Sequence, residues 1–121
     1  MDIRSVCDSV RSSDTRIRHV GYYDGFGRII YDSIRPNRTP MENTEEMHIL
    51  NGTVAMTLNL WKPASKLVGE TRTFIMIKDK LVGLIVPHKK NNYVLAIFER
   101  NTDLRRVEKA RIKLLKALGQ H

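Results

Sequence analysis

Between Thr39 and Pro63 the chain carries apolar residues on two opposite sides of one predicted helix. Thr39 is placed as N-cap, Pro40 as the first helical residue and Glu42 at the third position. That pattern is a capping box with proline at N1, which satisfies backbone donors left open at a helix start. Pro63 ends the helix, because it lacks an N–H and disfavours helical geometry at Lys62. At about 100° per residue, Met47, Leu50, Val54, Leu58 and Trp61 share one arc, and Ile49, Met56 and Leu60 fall nearly opposite. A surface helix needs a single apolar stripe, so a second one asks for a second surface. The stripe with Trp61 is the larger and is assigned to the core. The other, Ile49, Met56 and Leu60, has two readings: a seam between two copies of the chain, or packing on the sheet margin or the 64–70 connection. The homodimer is the preferred reading.

The remaining elements follow from shorter signals. Residues 2–12 place Ile3, Val6, Cys7 and Val10 at helical spacing, and Ser12-Ser13-Asp14 stops that helix. Residues 16–23 and 28–34 are rich in Ile, Val and Tyr and flank Asp24-Gly25-Phe26-Gly27, a hairpin turn. After a connection over 64–70, strands are predicted at 72–77, 81–86 and 93–98. Tyr93 to Phe98 is apolar throughout, and Leu81 to Val86 nearly so, which predicts cover on both faces of the sheet. Asn101 to Asp103 offer capping groups for a closing helix over 103–118. The expected fold is of the α+β type: a five-stranded antiparallel sheet in the order α-β-β-α-β-β-β-α. The terminal helices lie on one face and the middle helix on the other.

A chain of 121 residues suits one domain, 1–121, and its 41% apolar fraction supports a packed core over disorder. No run approaches the ~20 apolar residues of a membrane span, and the N-terminus lacks the pattern of a signal peptide. Cys7 is the only cysteine, which rules out a disulfide within the chain and fits a cytoplasmic setting. The net charge of +8 is unevenly placed. Residues 1–70 hold nine basic and nine acidic side chains, whereas residues 71–121 hold twelve and four. Nucleic acid, an anionic surface or an acidic protein could be attracted there, although a solvated basic face explains the same excess.

The element order, with the hairpin His19-Val20-Gly21-Tyr22-Tyr23-Asp24-Gly25-Phe26-Gly27-Arg28-Ile29-Ile30, resembles the roadblock, longin and profilin-like folds. In roadblock domains an opening strand likewise reaches a glycine-containing turn and returns as an apolar strand. The stretch from Trp61 through Gly69 to Asp103 resembles a small uncharacterised archaeal family of roadblock-sized proteins. The resemblance implies a binding module, often a homodimer, and not an enzyme. It further implies middle helices packed together, third strands able to join two sheets, and a role in regulating or scaffolding small GTPases. On that basis the dimer interface is expected at Ile49, Met56, Leu60, Phe74 and Met76, the last two on an apolar edge strand open to pairing.

Other candidate chemistry is sparse. Leu104, Val107, Leu114, Leu115 and Leu118 form the apolar arc of the last helix, opposite the anion-binding candidates Arg105, Lys109, Lys113 and Lys116. No aromatic residue interleaves with them, which disfavours nucleic acid. Arg111 interrupts the apolar arc, either as a snorkelling stem or as a paired guanidinium. The four histidines share no ligand spacing, so neither a metal nor another cofactor is expected. Cys7 reads as a small core residue, and Gly52 as a site of close backbone approach or a tolerated glycine. No nucleophile-base set, paired carboxylates or nucleotide loop emerges, so catalysis is not expected. A small-ligand sensor is a further alternative, which an enclosed polar pocket would favour.

Overall fold

A computed structural model describes residues 2–36 and 44–120. Helix α1 spans Ile3–Ser12, and strands β1 Ile17–Tyr23 and β2 Ile29–Ile34 follow. Helix α2 spans Thr44–Leu60, a 3-10 turn Lys62–Ala64, and a single helical turn α3 Ser65–Val68. Strands β3 Phe74–Ile77, β4 Leu81–Pro87 and β5 Tyr93–Glu99 precede helix α4 Leu104–Ala117. The expected capping box at Thr39, Pro40 and Glu42 lies outside the described residues. The 64–70 segment, expected as a plain connection, contains α3, and Gly69 ends it with a positive φ of 88°.

All five strands form one antiparallel sheet in the order β2-β1-β5-β4-β3. The two apolar strands, β4 and β5, sit inside it, which explains why neither alternates. Register fixes which side chain serves which face. Val20 lies opposite Ala96, Val82 opposite Phe98 and Leu84 opposite Ala96. These join Val6, Cys7 and Val10 of α1 and Val107, Ala110 and Leu114 of α4 in one core layer. Tyr23, Tyr93, Leu95, Ile97 and Ile85 face the other way and join Val54 and Ala55 of α2. The terminal helices therefore share one face and α2 covers the other, as expected.

Local chemistry sets the element ends. Asp2 caps α1 by accepting from the Arg4 amide (3.0 Å) and the Ser5 hydroxyl (3.0 Å). Asp103 caps α4 through the Arg105 amide at 2.7 Å. In the β1–β2 turn, the Asp24 carboxylate accepts from the Phe26 and Arg28 amides at 2.9 and 3.0 Å. Gly27 closes that turn at a φ of 85°. Its missing side chain also has a packing role: a Cβ there would stand 2.6 Å from the Asn51 carbonyl oxygen and 2.9 Å from the Gly52 amide. The close approach considered for Gly52 thus constrains Gly27, and a Cβ on Gly52 meets nothing within 4 Å.

Candidate functional site

The middle helix meets the sheet through a narrow contact. Asn51, Val54 and Ala55 are buried, and Leu50 and Leu58 pack half-buried beside them. Trp61, assigned to the core, is instead half-exposed at the helix end, with its ring 6.4 Å from that of Phe74. The stripe has reached the margin of the sheet by that point, where Phe74 of the edge strand is its ring neighbour.

The opposite side of α2 is open. Ile49, Met56 and Leu60 are 65%, 65% and 75% exposed. Residues 47–60 contain no Asp, Glu, Lys or Arg, although a helix face in water ordinarily carries charge. Thr53 and Thr57 use their hydroxyls internally: Thr53 donates to the Ile49 carbonyl (2.8 Å) and Thr57 to that of Thr53 (2.9 Å). Their methyl groups are left to extend the apolar surface, and covering it costs few hydrogen bonds to water. Leu67 and Val68, just beyond the helix, are exposed as well. An exposed apolar stripe of this kind marks an interaction site more often than a surface left bare.

The other interface candidates sit differently. Phe74 and Met76 are half-buried against the α2-side core layer, and Met76 Cε would lie 2.7 Å from a Cβ on Gly83. Strand β3 is an edge strand, and its outward pair, Ile75 and Ile77, points to the α1/α4 face, opposite Leu84 and Val82. The anion-binding candidates Arg105, Lys109, Lys113 and Lys116 are all exposed along the outer side of α4. Arg111 is neither free nor deep: it forms an ion pair with Glu108 one turn earlier, with Nε 2.9 Å from Oε1. That contact holds the Glu108 carboxyl below its ordinary value.

Sequence reasoning missed a polar cluster beneath α2. His19 Nε2 contacts Asp32 Oδ1 and lies 3.3 Å from the Tyr23 hydroxyl. The Tyr23 hydroxyl lies beside the Asn51 amide, whose Nδ2 and Oδ1 are buried without a hydrogen-bond partner among the described residues. Tyr93 stacks on Tyr23 and donates to the Asn51 carbonyl at 2.9 Å. Burial pushes both phenols well above the ordinary tyrosine range. His19 and Tyr23 share a strand face by alternation, which was the only available signal. The cluster ties β1, β2 and α2 together and offers no activated nucleophile. Cys7 is fully buried, and burial, followed by the charges of Asp8 and Asp32, pushes its thiol up to about 12.

A cavity of about 140 Å³ opens between the end of α2 and the β4–β5 turn, lined by Asn59, Trp61, Lys62, Glu70, His88 and Asn92 among others. Lys62 Nζ is held there by Asn91 Oδ1 at 2.5 Å. Pockets for drug-sized ligands run to roughly 300–1,000 Å³, so this one does not favour the small-ligand alternative. Among the described residues, no group of three or more His, Cys, Asp or Glu side chains is placed to hold a metal ion. No described helix is long and apolar enough to cross a membrane.

A five-stranded antiparallel sheet with two helices on one face and one on the other is the architecture of roadblock-like domains. Comparison with solved structures shows the likeness over nearly the whole chain. A roadblock/LC7 domain from Streptomyces avermitilis superposes with a TM-score of 0.72 at 9% identity, covering 98% of this chain and 96% of that one. The gliding protein MglB from Thermus thermophilus gives 0.70 at 13% identity, with 96% and 87% covered. MglC from Myxococcus xanthus gives 0.66 at 9%, with 98% of each chain covered. No protein-family model and no curated protein matches the sequence. At these identities the shared property is the fold.

Proposed function

We propose that this chain, as one domain over residues 1–121, is a non-catalytic interaction module that homodimerises through α2 and scaffolds another protein in the cytoplasm. The observation that carries this reading is the outer face of α2 beyond its acidic first turn, where residues 47–60 carry no charge and Ile49, Met56 and Leu60 stay exposed in the single chain. The second copy meets this stripe and extends to the free edge of β3, where Phe74 and Met76 keep part of their surface open. Support comes from the fold: one MglB structure of TM-score 0.75 and 14% identity is described as having a tetrameric arrangement. The regulation of a small GTPase or a similar complex, and kinship with the archaeal roadblock-sized family, extend the same reading from the roadblock resemblance.

Light scattering from low micromolar to near-millimolar concentration tests the dimer. The wild-type chain is expected to double in mass, and Met56→Glu to remain monomeric with an unchanged circular dichroism spectrum. A Met56→Glu chain that unfolds assigns the stripe to the core of the single subunit and rejects the proposal. A wild-type chain that stays monomeric throughout rejects it equally.

A further inference from the structure

The α1/α4 face of the sheet is incompletely covered. Helix α1 packs over β1 and β2, and α4 lies over β4. Their shared core layer takes in Val82, Leu84 and Val86, but no residue of β3. Ile75 and Ile77, which continue that face beyond Leu84 and Val82, are 41% and 67% exposed.

Helix α4 has two flanks. The flank bearing Arg106 turns toward the end of α1, where Arg106 Nη1 meets Asp14 Oδ1 at 3.1 Å. At 100° per residue, Leu104, Glu108 and Leu115 lie on the opposite flank, with Ile112 next to them. That flank turns toward β3. Leu104 and Ile112 are 53% and 45% exposed. Sheet and helix thus form an apolar channel with Ile75 and Ile77 as its floor and Leu104, Ile112 and Leu115 as its wall.

The rim of this channel is basic. Arg105, Lys116 and Lys109 follow Ile112 around the helix, whereas Lys113 lies beside Arg106 on the flank toward α1. All four are exposed, and none of them forms an ion pair among the described residues. At the other margin, Lys78 and Lys80 flank Asp79 in the β3–β4 turn and leave it with a net positive charge. Glu108, the one acid on the channel flank of α4, is already neutralised by Arg111.

We infer that this channel between α4 and β3 docks an acidic amphipathic helix of a partner protein, apolar side inward and carboxylates against the α4 row. Charge complementarity selects the occupant: an apolar floor beside unpaired cations suits a ligand that is apolar on one side and acidic on the other. The 14 residues of α4 span about 21 Å at ~1.5 Å per residue, which sets a partner helix of similar length. Nucleic acid would use the row and leave the isoleucines uncovered, and no aromatic side chain stands among those cations to stack on bases. The channel lies on the face of the sheet away from α2, so this inference does not depend on the α2 dimer.

Fluorescence anisotropy with the full chain tests it. Three labelled probes are used: a Leu/Glu amphipathic helical peptide of about fourteen residues, a scrambled peptide of equal charge without an apolar side, and a short duplex DNA. The amphipathic peptide is expected to bind at least about tenfold more tightly than the scrambled one. Ile112→Glu and the double change Lys109→Glu, Lys116→Glu should each weaken it by about tenfold or more, whereas Met56→Glu leaves it unchanged. Ile112 is half-exposed, and circular dichroism of the variant verifies folding. If it unfolds, the lysine double variant carries the same test. Equal binding of both peptides, tighter binding of the DNA, or insensitivity to the α4 substitutions overturns the inference.

Discussion

Gly27 shows how one missing side chain holds two elements together. It needs both a positive φ and empty space, because the Asn51 carbonyl occupies the volume a Cβ would take. Gly27→Ala therefore strains the turn and lifts α2 off the sheet at the same point. A loss of about 3 kcal/mol is expected in urea unfolding, and a loss below about 1 kcal/mol would show that the turn yields freely. Asp8 acts across elements in a different way. Its carboxylate accepts from the Ser33 hydroxyl at 2.6 Å and the Tyr31 hydroxyl at 2.9 Å, joining α1 to β2. Those two bonds, led by Ser33, hold its carboxyl below the ordinary value of 3.8. A group with a depressed folded-state value stabilises the fold fully above its unfolded value of ~3.9. That stability is lost as pH falls through the lower, folded value. Asp8→Asn should flatten this acid limb, so the urea midpoints of wild type and variant should differ more at pH 6 than near pH 2. An equal difference at both would mean that the carboxylate's charge is not what the hydroxyls recognise.

The elements differ in how firmly they are held. Helix α4 seats Val107, Ala110 and Leu114 in the core, and Leu118 follows. Among its described residues, α2 buries Asn51, Val54 and Ala55, and the Asn51 amide meets little more than the Tyr23 hydroxyl among the described residues in exchange for leaving water. In dilute solution the amides of α2 are accordingly expected to exchange with deuterium well before those of α4 and β5, and to slow as concentration rises. Protection of α2 equal to that of α4 at low concentration would contradict this. The same contrast explains what the sequence conveyed. Strands β4 and β5 were legible because uninterrupted apolar runs signal two-sided burial, and the first hairpin because Asp24 to Gly27 carries its own turn chemistry. The second stripe of α2 was legible by angle alone. The fate of Trp61 was not, because periodicity continues along a helix after the surface beneath it has ended. Nor were the contacts of Asp8 with Tyr31 and Ser33, or of His19 with Asp32. Pairings between side chains more than ten residues apart leave no periodic trace.

At the scale of the whole molecule, the sheet separates two kinds of surface. One side presents α2, uncharged over residues 47–60 and acidic in its first turn, and the other presents α4 with its row of unpaired cations. A second copy of a basic chain is repelled at the row of cations and tolerated on the side that lacks them, so self-association belongs on the α2 face. Association of this kind leaves a mass-action signature on stability. A roughly hundredfold rise in concentration adds ~2.7 kcal/mol per dimer, or a little over ~1 kcal/mol per protomer. For a domain of this size that shift corresponds to about 5 °C in Tm. Wild-type Tm should climb by that amount in scanning calorimetry between dilute and concentrated samples. Met56→Glu should hold the dilute wild-type value at every concentration, since Met56 is exposed in the single subunit and its loss leaves that subunit's core intact. A concentration-independent wild-type Tm would place the apolar face of α2 in water, and a Met56→Glu Tm below the dilute wild-type value would place Met56 among the residues that hold the subunit together.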